Sequence, residues 1–408
     1  RLLQGDVGSG KTIVALMIAL IAADNGFQSC LMAPTEILAK QHFQSISDIT
    51  ETLKVSIALL TGSSTKLERK EIAKKLESGK IDILIGTHAI IQDAVKFNNL
   101  GLAVVDEQHR FGVAQRAKLW EKNTLPPHVL VMTATPIPRT LAMSLYGDLD
   151  ISIIDELPPG RKKIKTMHFN DKKRLRVFNF ISGEIKKGRQ VYIVYPLIKE
   201  SEKMDYKDLM DGYESISRAF PKPKYQISIV HGKMKTKDKD FEMDRFVNKQ
   251  TQIMVATTVI EVGVNVPNAS AMIIESAERF GLSQLHQLRG RVGRGNEQSF
   301  CVLMSSNQLS SDAKTRLETM TKSNDGFEIA EVDLKLRGPG DLMGTQQSGI
   351  LQLKIADIIK DNQWLKFARN DAYELLRIDP KLKTTENISL RQTLAKMKVY
   401  KNIWNYIS

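Results

Sequence analysis

Cysteine is nearly absent: Cys30 and Cys301 are the only two in 408 residues. They lie far apart in apolar runs, SCLMA and FCVLM, with no CxxC pair. That spacing offers no zinc site and no disulfide framework, and reads as two buried thiols. Long hydrophobic runs are missing too. The longest, Ile13–Ala23, is far shorter than the eighteen or so residues that cross a bilayer, and no apolar segment leads to a small-residue cleavage site. A cytoplasmic protein with no membrane partner is expected. Net charge is missing from one end only. Residues 1–155 hold 16 Lys and Arg against 16 Asp and Glu, whereas 156–408 hold 43 against 30 and so carry the whole +13. A basic part behind a balanced one suits a polyanionic partner.

What is present begins at once. Residues 5–12 read GDVGSGKT, and Gly5, Asp6, Val7, Gly8, Ser9, Gly10, Lys11 and Thr12 have the spacing of a phosphate-binding P-loop. The glycines allow the tight turn and the close approach of backbone N–H groups. Lys11 suits the β/γ-phosphates and the Thr12 hydroxyl suits Mg²⁺, so ATP and Mg²⁺ are the cofactors this pattern predicts. A helix follows (TIVALMIALIAADNG), but only Arg1–Gln4 remain for the strand before the loop. A longer protein is therefore expected.

From residue 28 to 135, short apolar runs alternate with helical patterns at 36–49 and 66–78. Such alternation predicts an α/β domain with a parallel sheet and helices on both faces. Polar motifs follow the runs: PTE, TGS, GTH, DEQH and TAT. Ligands of open α/β sheets bind outside the carboxyl ends of the strands. After a linker at 155–163 a second series begins: helix 171–187, QVYIVYP, a polar region 199–224, QISIVHG, helix 236–249, QIMVATT, ASAMIIES and SFCVLMS. It reads as a second sheet without a P-loop. Beyond about 306 come two helical patterns, a Gly-rich loop (RGPGDLMGTQQSG) and a helical end. The boundaries expected are 1–155, 156–305 and 306–408.

The chemistry gathers around the nucleotide. Asp106 suits Mg²⁺ held through water, and Glu107 suits orienting and deprotonating the attacking water. Gln108 and His109 are candidate sensors, and Thr133 and Thr135 of TAT candidate hinge residues. In QLRGRVGR a helix would put Gln287, Arg291 and Arg294 on one face. From a lobe without a P-loop, the two arginines suit arginine fingers. Thr257 and Thr258 are candidate phosphate-backbone contacts, with Glu261 and Gly263 near the cleft. Pro34, Thr35, Gly62, Thr87, His88 and Arg110 complete the candidate DNA strip.

The array GDVGSGKT, APTEILAKQH, GTHAI, DEQH, TAT, ATTVIEVGVNVPNA and QLRGRVGR, in this order, resembles the superfamily 2 helicase and translocase motor over nearly the whole chain. Within it DEQHRFGVAQR, TATPIPRTLAMSLYGDLDISIIDELPPGR and DGFEIAEVDLKLRGPGDLMGTQQSG resemble the RecG branch-migration helicases. The resemblance implies two tandem RecA-like (P-loop NTPase) domains with a C-terminal helical hairpin and tail. It implies a monomeric translocase on double-stranded and branched DNA that remodels stalled forks and Holliday junctions, with single-stranded-DNA-binding protein as a further partner. It also implies that the hairpin and its following loop convert lobe closure into DNA movement, with Arg316, Arg337 and Gln347 as coupling residues. The family's N-terminal wedge domain, which grips the branch point, precedes these residues, so fork recognition is not expected of them.

Two rivals remain. A transcription-repair coupling translocase has a related tail, but typically DEEH in place of DEQH and no DELPPGR linker. A non-catalytic nucleic-acid-binding module would keep ATP as a structural ligand, against which stand Lys11, Asp106, Glu107, Arg291 and Arg294. An RNA helicase of DEAD-box pattern fits neither DEQH nor the RGPG tail.

Overall fold

The structure, a computed structural model, describes residues 1–107, 122, 126–134, 149–156, 162–196, 202–257, 266–293, 295, 297–341 and 361–396. Its first sheet is seven-stranded: β1 (Leu2–Gly5), β2 (Gln28–Met32), β3 (Ile57–Leu60), β4 (Ile83–Gly86), β5 (Leu100–Asp106), β6 (His128–Thr133) and β7 (Ile151–Ile154), in the order β3-β4-β2-β5-β6-β1-β7. Every pairing is parallel. Helices α1 (Lys11–Asp24), α2 (Glu36–Thr50) and α3 (Lys66–Glu77) lie between successive strands. The runs are rich in Val, Ile and Leu because a parallel sheet is covered on both faces. Alternate residues divide accordingly: Cys30, Ala103 and Val105 enter one core, and Leu31, Leu102 and Val104 the other.

The second sheet is also all parallel. Its six strands are β8 (Lys165–Asn170), β9 (Gln190–Tyr195), β10 (Ile227–Val230), β11 (Ile253–Thr257), β12 (Ala269–Ile274) and β13 (Phe300–Ser305), in the order β10-β11-β9-β12-β13-β8. This is the same permutation as the first sheet, each strand standing where the strand numbered seven lower stands, with β7 the one addition. The repeat reaches single side chains. Gln28, at the start of β2, donates to the carbonyls of Leu76 and Ile81 at 3.1 and 2.7 Å and accepts from the Asn98 and Asn99 backbone. Gln190, at the start of β9, donates to Phe246 and Thr251 at 2.6 and 2.7 Å and accepts from Asn268. Each buried amide thus ties the end of one helix to the foot of its sheet.

Helices α4 (Arg174–Lys186), α5 (Glu202–Ala219), α6 (Thr236–Val247) and α7 (Leu282–Arg289) belong to the second lobe. The chain continues as α8 (Ser311–Lys322), α9 (Gly326–Asp341), α10 (Asn362–Ile378) and α11 (Ile388–Lys396). Among the described residues, no helix is long and apolar enough to cross a membrane.

Several local expectations change. Leu317, Met320 and Ile329 of α8 and α9 share one core with Met272, Leu285 and Leu288, so the boundary at 306 separates no hydrophobic core. The polar region 199–224 contains α5, which buries Leu209 and Ile216 on one face, with Phe220 buried just beyond its end. The RGPGD segment, expected as loop, continues α9 as helix to Asp341. Helix α1, apolar over most of its length, leaves Ile13, Met17 and Ile21 exposed along one stripe.

Candidate active site

The P-loop leaves the carboxyl end of β1. Gly8 and Gly10 have φ of 77° and 99°, the left-handed region that glycine enters without a Cβ penalty. At Gly5 a Cβ would lie 2.5 Å from the Ser9 hydroxyl, so that position is closed to larger residues. Lys11 is buried and donates to the carbonyls of Gly5 and Asp6 at 2.7 and 2.9 Å. Gly10 supplies no side-chain cap to the start of α1, whose Ile13 N–H donates to the Gly10 carbonyl at 3.0 Å. An ammonium beside such a helix start fits a polyphosphate, whose oxygens would replace neutral carbonyls around Lys11. Thr12 stands half-buried in the first turn.

Asp106 ends β5 and accepts from His42 Nε2 at 2.9 Å. His42 belongs to α2, the helix that Thr35 caps by accepting from the Leu38 N–H. Within APTEILAKQH nothing but its place four residues after Leu38 marks this histidine. Glu107 sits at φ 53°, a strained backbone for a non-glycine residue. Its N–H donates to Met132, and its Oε2 lies 3.5 Å from the Ala134 N–H in the TAT motif. Burial and the charge of Asp106 raise its carboxyl above the ordinary range, against the pull of Lys11 and Arg291. A carboxylate of raised basicity beside two cations suits activation of water. Among the described residues, no cluster of three or more His, Cys, Asp or Glu could hold a metal ion. Mg²⁺ commonly takes one or two protein groups, with substrate phosphates and water completing its shell, and Thr12 and Asp106 are the groups that fit.

The second lobe meets this site through α7 and the turn after it. Helix α7 ends at Arg289 with Gly290 as its cap, so Gln287 and Arg291 do not share the helical face expected of them. Gln287 is half-buried on α7, whereas Arg291 lies buried in the following turn, where its charge acts on Glu107. A Cβ on Gly290 would lie 2.9 Å from the Val7 side chain, so glycine is what lets the turn rest on the P-loop. His286 Nε2 bonds Asp6 Oδ1 at 3.0 Å, a pair that no motif marks, since His286 lies one residue before QLRGRVGR.

The remaining candidates are dispersed. Pro34 and Thr35 are half-buried, and Gly62 and His88 are exposed. Glu36 holds the Gly62 loop by accepting from the Ser63 N–H at 2.9 Å. Thr87 and Thr257 follow or end the equivalent strands β4 and β11, but both are buried, which puts them out of reach of a DNA backbone in this arrangement. Thr133 is buried at the end of β6. Arg316, on α8, donates to the carbonyls of Phe280 and Glu278 at 2.8 and 3.0 Å. Arg337 lies within the α9 backbone. Gln108, His109, Arg110, Thr135, Thr258, Glu261, Gly263, Arg294 and Gln347 lie outside the described residues.

Three family models match: DEAD/DEAH box helicase over residues 1–144, helicase conserved C-terminal domain over 172–296, and the C-terminal part of domain 3 of ATP-dependent DNA helicase RecG over 323–408. The RecG of Synechocystis sp. is 51% identical over 391 residues, covering 96% of this chain and 47% of that protein. The RecG of Bacillus subtilis is 51% identical over 399 residues, covering 98% and 58%. The chain therefore spans about half the length of the curated relatives it matches. A structure of RecG bound to a three-way DNA junction has 43% identity and a TM-score of 0.75, covering 90% of this chain and 47% of that one. Yeast Dbp5 bound to RNA and ADP BeF3, at 17% identity and a TM-score of 0.57, covers 82% of this chain and 88% of that one and shares the fold alone. With half of its residues identical over nearly its whole length, the chain belongs to the RecG family.

Proposed function

We propose that this chain is the motor portion of an ATP-dependent double-stranded DNA translocase and helicase that remodels stalled forks and Holliday junctions in recombination and repair. The observation that carries the reading is the contact of the other lobe with the P-loop, where His286 Nε2 bonds Asp6 Oδ1 at 3.0 Å and Gly290 lets its turn rest on Val7. A site completed by both lobes makes hydrolysis sensitive to how they are placed, which a motor needs and a static ligand site does not. Asp106 and Thr12 would hold Mg²⁺, which would offset phosphate charge, and Arg291 with Arg294 would stabilise charge on the transferring phosphoryl group; such a finger contributes roughly 10³–10⁵ in rate. The net charge of +13, all of it carried beyond residue 155, supplies the attraction to DNA. A cytoplasmic monomer, with single-stranded-DNA-binding protein as a further partner, completes the reading.

Phosphate release measured with and without duplex and branched DNA, at several salt concentrations, tests this. DNA-stimulated hydrolysis that fades steeply with salt is expected. Hydrolysis absent with every DNA, alongside tight ATP binding, would leave the non-catalytic module as the better reading. Stimulation in the presence of RNA polymerase alone would favour the transcription-coupled translocase.

A further inference from the structure

A continuous series of hydrogen bonds runs from the P-loop into the C-terminal hairpin. Asp6 lies at its start. Its backbone carbonyl accepts from Lys11 at 2.9 Å and from the Ser9 N–H at 3.1 Å, so the loop's lysine and its turn both depend on where Asp6 sits. Its carboxylate meets His286 Nε2 at 3.0 Å across the cleft. The other ring nitrogen, Nδ1, lies 3.0 Å from Arg289 Nη2, and Arg289 Nη1 donates to the carbonyls of Met320 and Ser323 at 3.0 and 2.7 Å. Those carbonyls belong to the last turn of α8 and the residue after it. A second bond, Ser283 Oγ to Asp333 Oδ2 at 2.8 Å, fastens α7 to α9.

The chemistry of the arginine decides the state of the histidine. A guanidinium has donors and no acceptor, so Nδ1 must accept and carries no proton. The ring is then neutral with its proton on Nε2, and that proton points to a carboxylate. Protonating Nδ1 would set two cationic donors against each other at 3.0 Å. Asp6 fits the acceptor role, its Oδ1 lying 3.0 Å from Nε2.

We propose that His286, fixed by Arg289 as the neutral Nε2–H form, is a positioning residue for ATP hydrolysis: through Asp6 it sets the P-loop and Lys11 from the second lobe and hairpin. The proposal rests on reading the cleft as an ATP site, and it adds a residue that no motif includes. His286 touches no reacting atom. It reports to the loop whether α7 and α8 are in place.

Two measurements test it. In ¹⁵N-histidine-labelled protein, His286 is one of seven histidines and is assigned by its loss in His286→Gln. At neutral pH without nucleotide, its signals should be those of the Nε2–H form, and Asp6→Ala should shift them. An Nδ1–H form, an imidazolium, or signals unmoved by Asp6→Ala would overturn the proposal. The second measurement is a double-mutant cycle on DNA-stimulated ATP hydrolysis with melting temperatures alongside. A hydrogen bond to a charged group gives a loss of about tenfold or more in kcat/KM for His286→Ala and for Asp6→Ala. The double variant should be no worse than the poorer single one, and His286→Gln, which retains a donor, should recover part of the loss. Fully additive losses tracking the melting temperature would make the two residues independent scaffold and sink the link. If the parent chain shows no DNA-stimulated hydrolysis, the functional reading fails, and the histidine spectrum still decides the bond.

Discussion

His42 Nε2 lies 2.9 Å from Asp106 Oδ2, joining the helix that follows the PTE motif to the acidic pair at the nucleotide site. One end of α2 stands at Thr35, in the candidate DNA strip, and its second turn reaches the candidate Mg²⁺ ligand. His42→Ala should leave ATP binding within about twofold and lower the duplex-stimulated kcat about tenfold, the loss of one charge-assisted hydrogen bond. Equilibrium nucleotide binding and kcat with and without duplex check this. An equal fall in unstimulated hydrolysis would mean the pair serves Asp106 alone.

Glu107→Gln should abolish turnover and keep ATP binding. The raised carboxyl also sets two pH dependences. The acid limb of kcat should fall at a pH above that of an ordinary carboxylate, because the base is protonated there. For stability, a folded-state value above the unfolded one means the contribution is complete below the unfolded value and is lost as pH rises through the folded value. At neutral pH the parent therefore holds a costly buried charge, and Glu107→Gln should melt higher than the parent. That advantage should vanish in acid. Melting curves at two pH values suffice, and a lower melting temperature at neutral pH would contradict the assignment.

The two buried glutamines make a paired prediction. Removing Gln28 or Gln190 leaves helix-end carbonyls buried without their donor, at a cost of roughly 1–3 kcal/mol. Because each lobe has cores of its own, Gln28→Ala should weaken hydrogen-exchange protection in β2–β5 and Gln190→Ala in β9–β12. Uniform loss across both lobes from either change would show that they unfold as one unit.

Arg337→Ala separates hydrolysis from movement. Residue 337 lies beyond the strands of both sheets, so the nucleotide site does not need it. The variant, in a protein completed to the length of its relatives, should keep much of its DNA-dependent hydrolysis and lose branch migration. Parallel loss of hydrolysis, migration and melting temperature would leave Arg337 as scaffold.

The central strands were legible because they are buried on both faces and so read as unbroken apolar runs. Edge strands carry a weaker signal. β7 is four half-buried residues, and β8, KTMHFN, alternates Met167 and Phe169 with polar neighbours. Neither was read as a strand. In α5 the two-turn spacing of Leu209 and Ile216 was present, but the polar and charged residues around them hid it. The P-loop and the acidic pair were legible as motifs, since their chemistry fixes residue type and spacing. His42 and His286 were not. Their partners, Asp106 and Asp6, lie 64 and 280 residues away, and only the fold brings them together.

The shared core of the second lobe and hairpin has a mechanical consequence. Arg289, Arg316 and Ser283 bolt α8 and α9 to the α7 region, so the hairpin turns with the lobe as a lever arm. Helix α9 has 16 residues. At about 1.5 Å per residue it is about 24 Å long, so a turn of ~10° at its root sweeps its tip ~4 Å. The rise of one base pair along DNA is about 3.4 Å. On the proposed reading as a DNA motor, a small rocking of the lobe would carry the far end of α9 through a distance on the order of that rise.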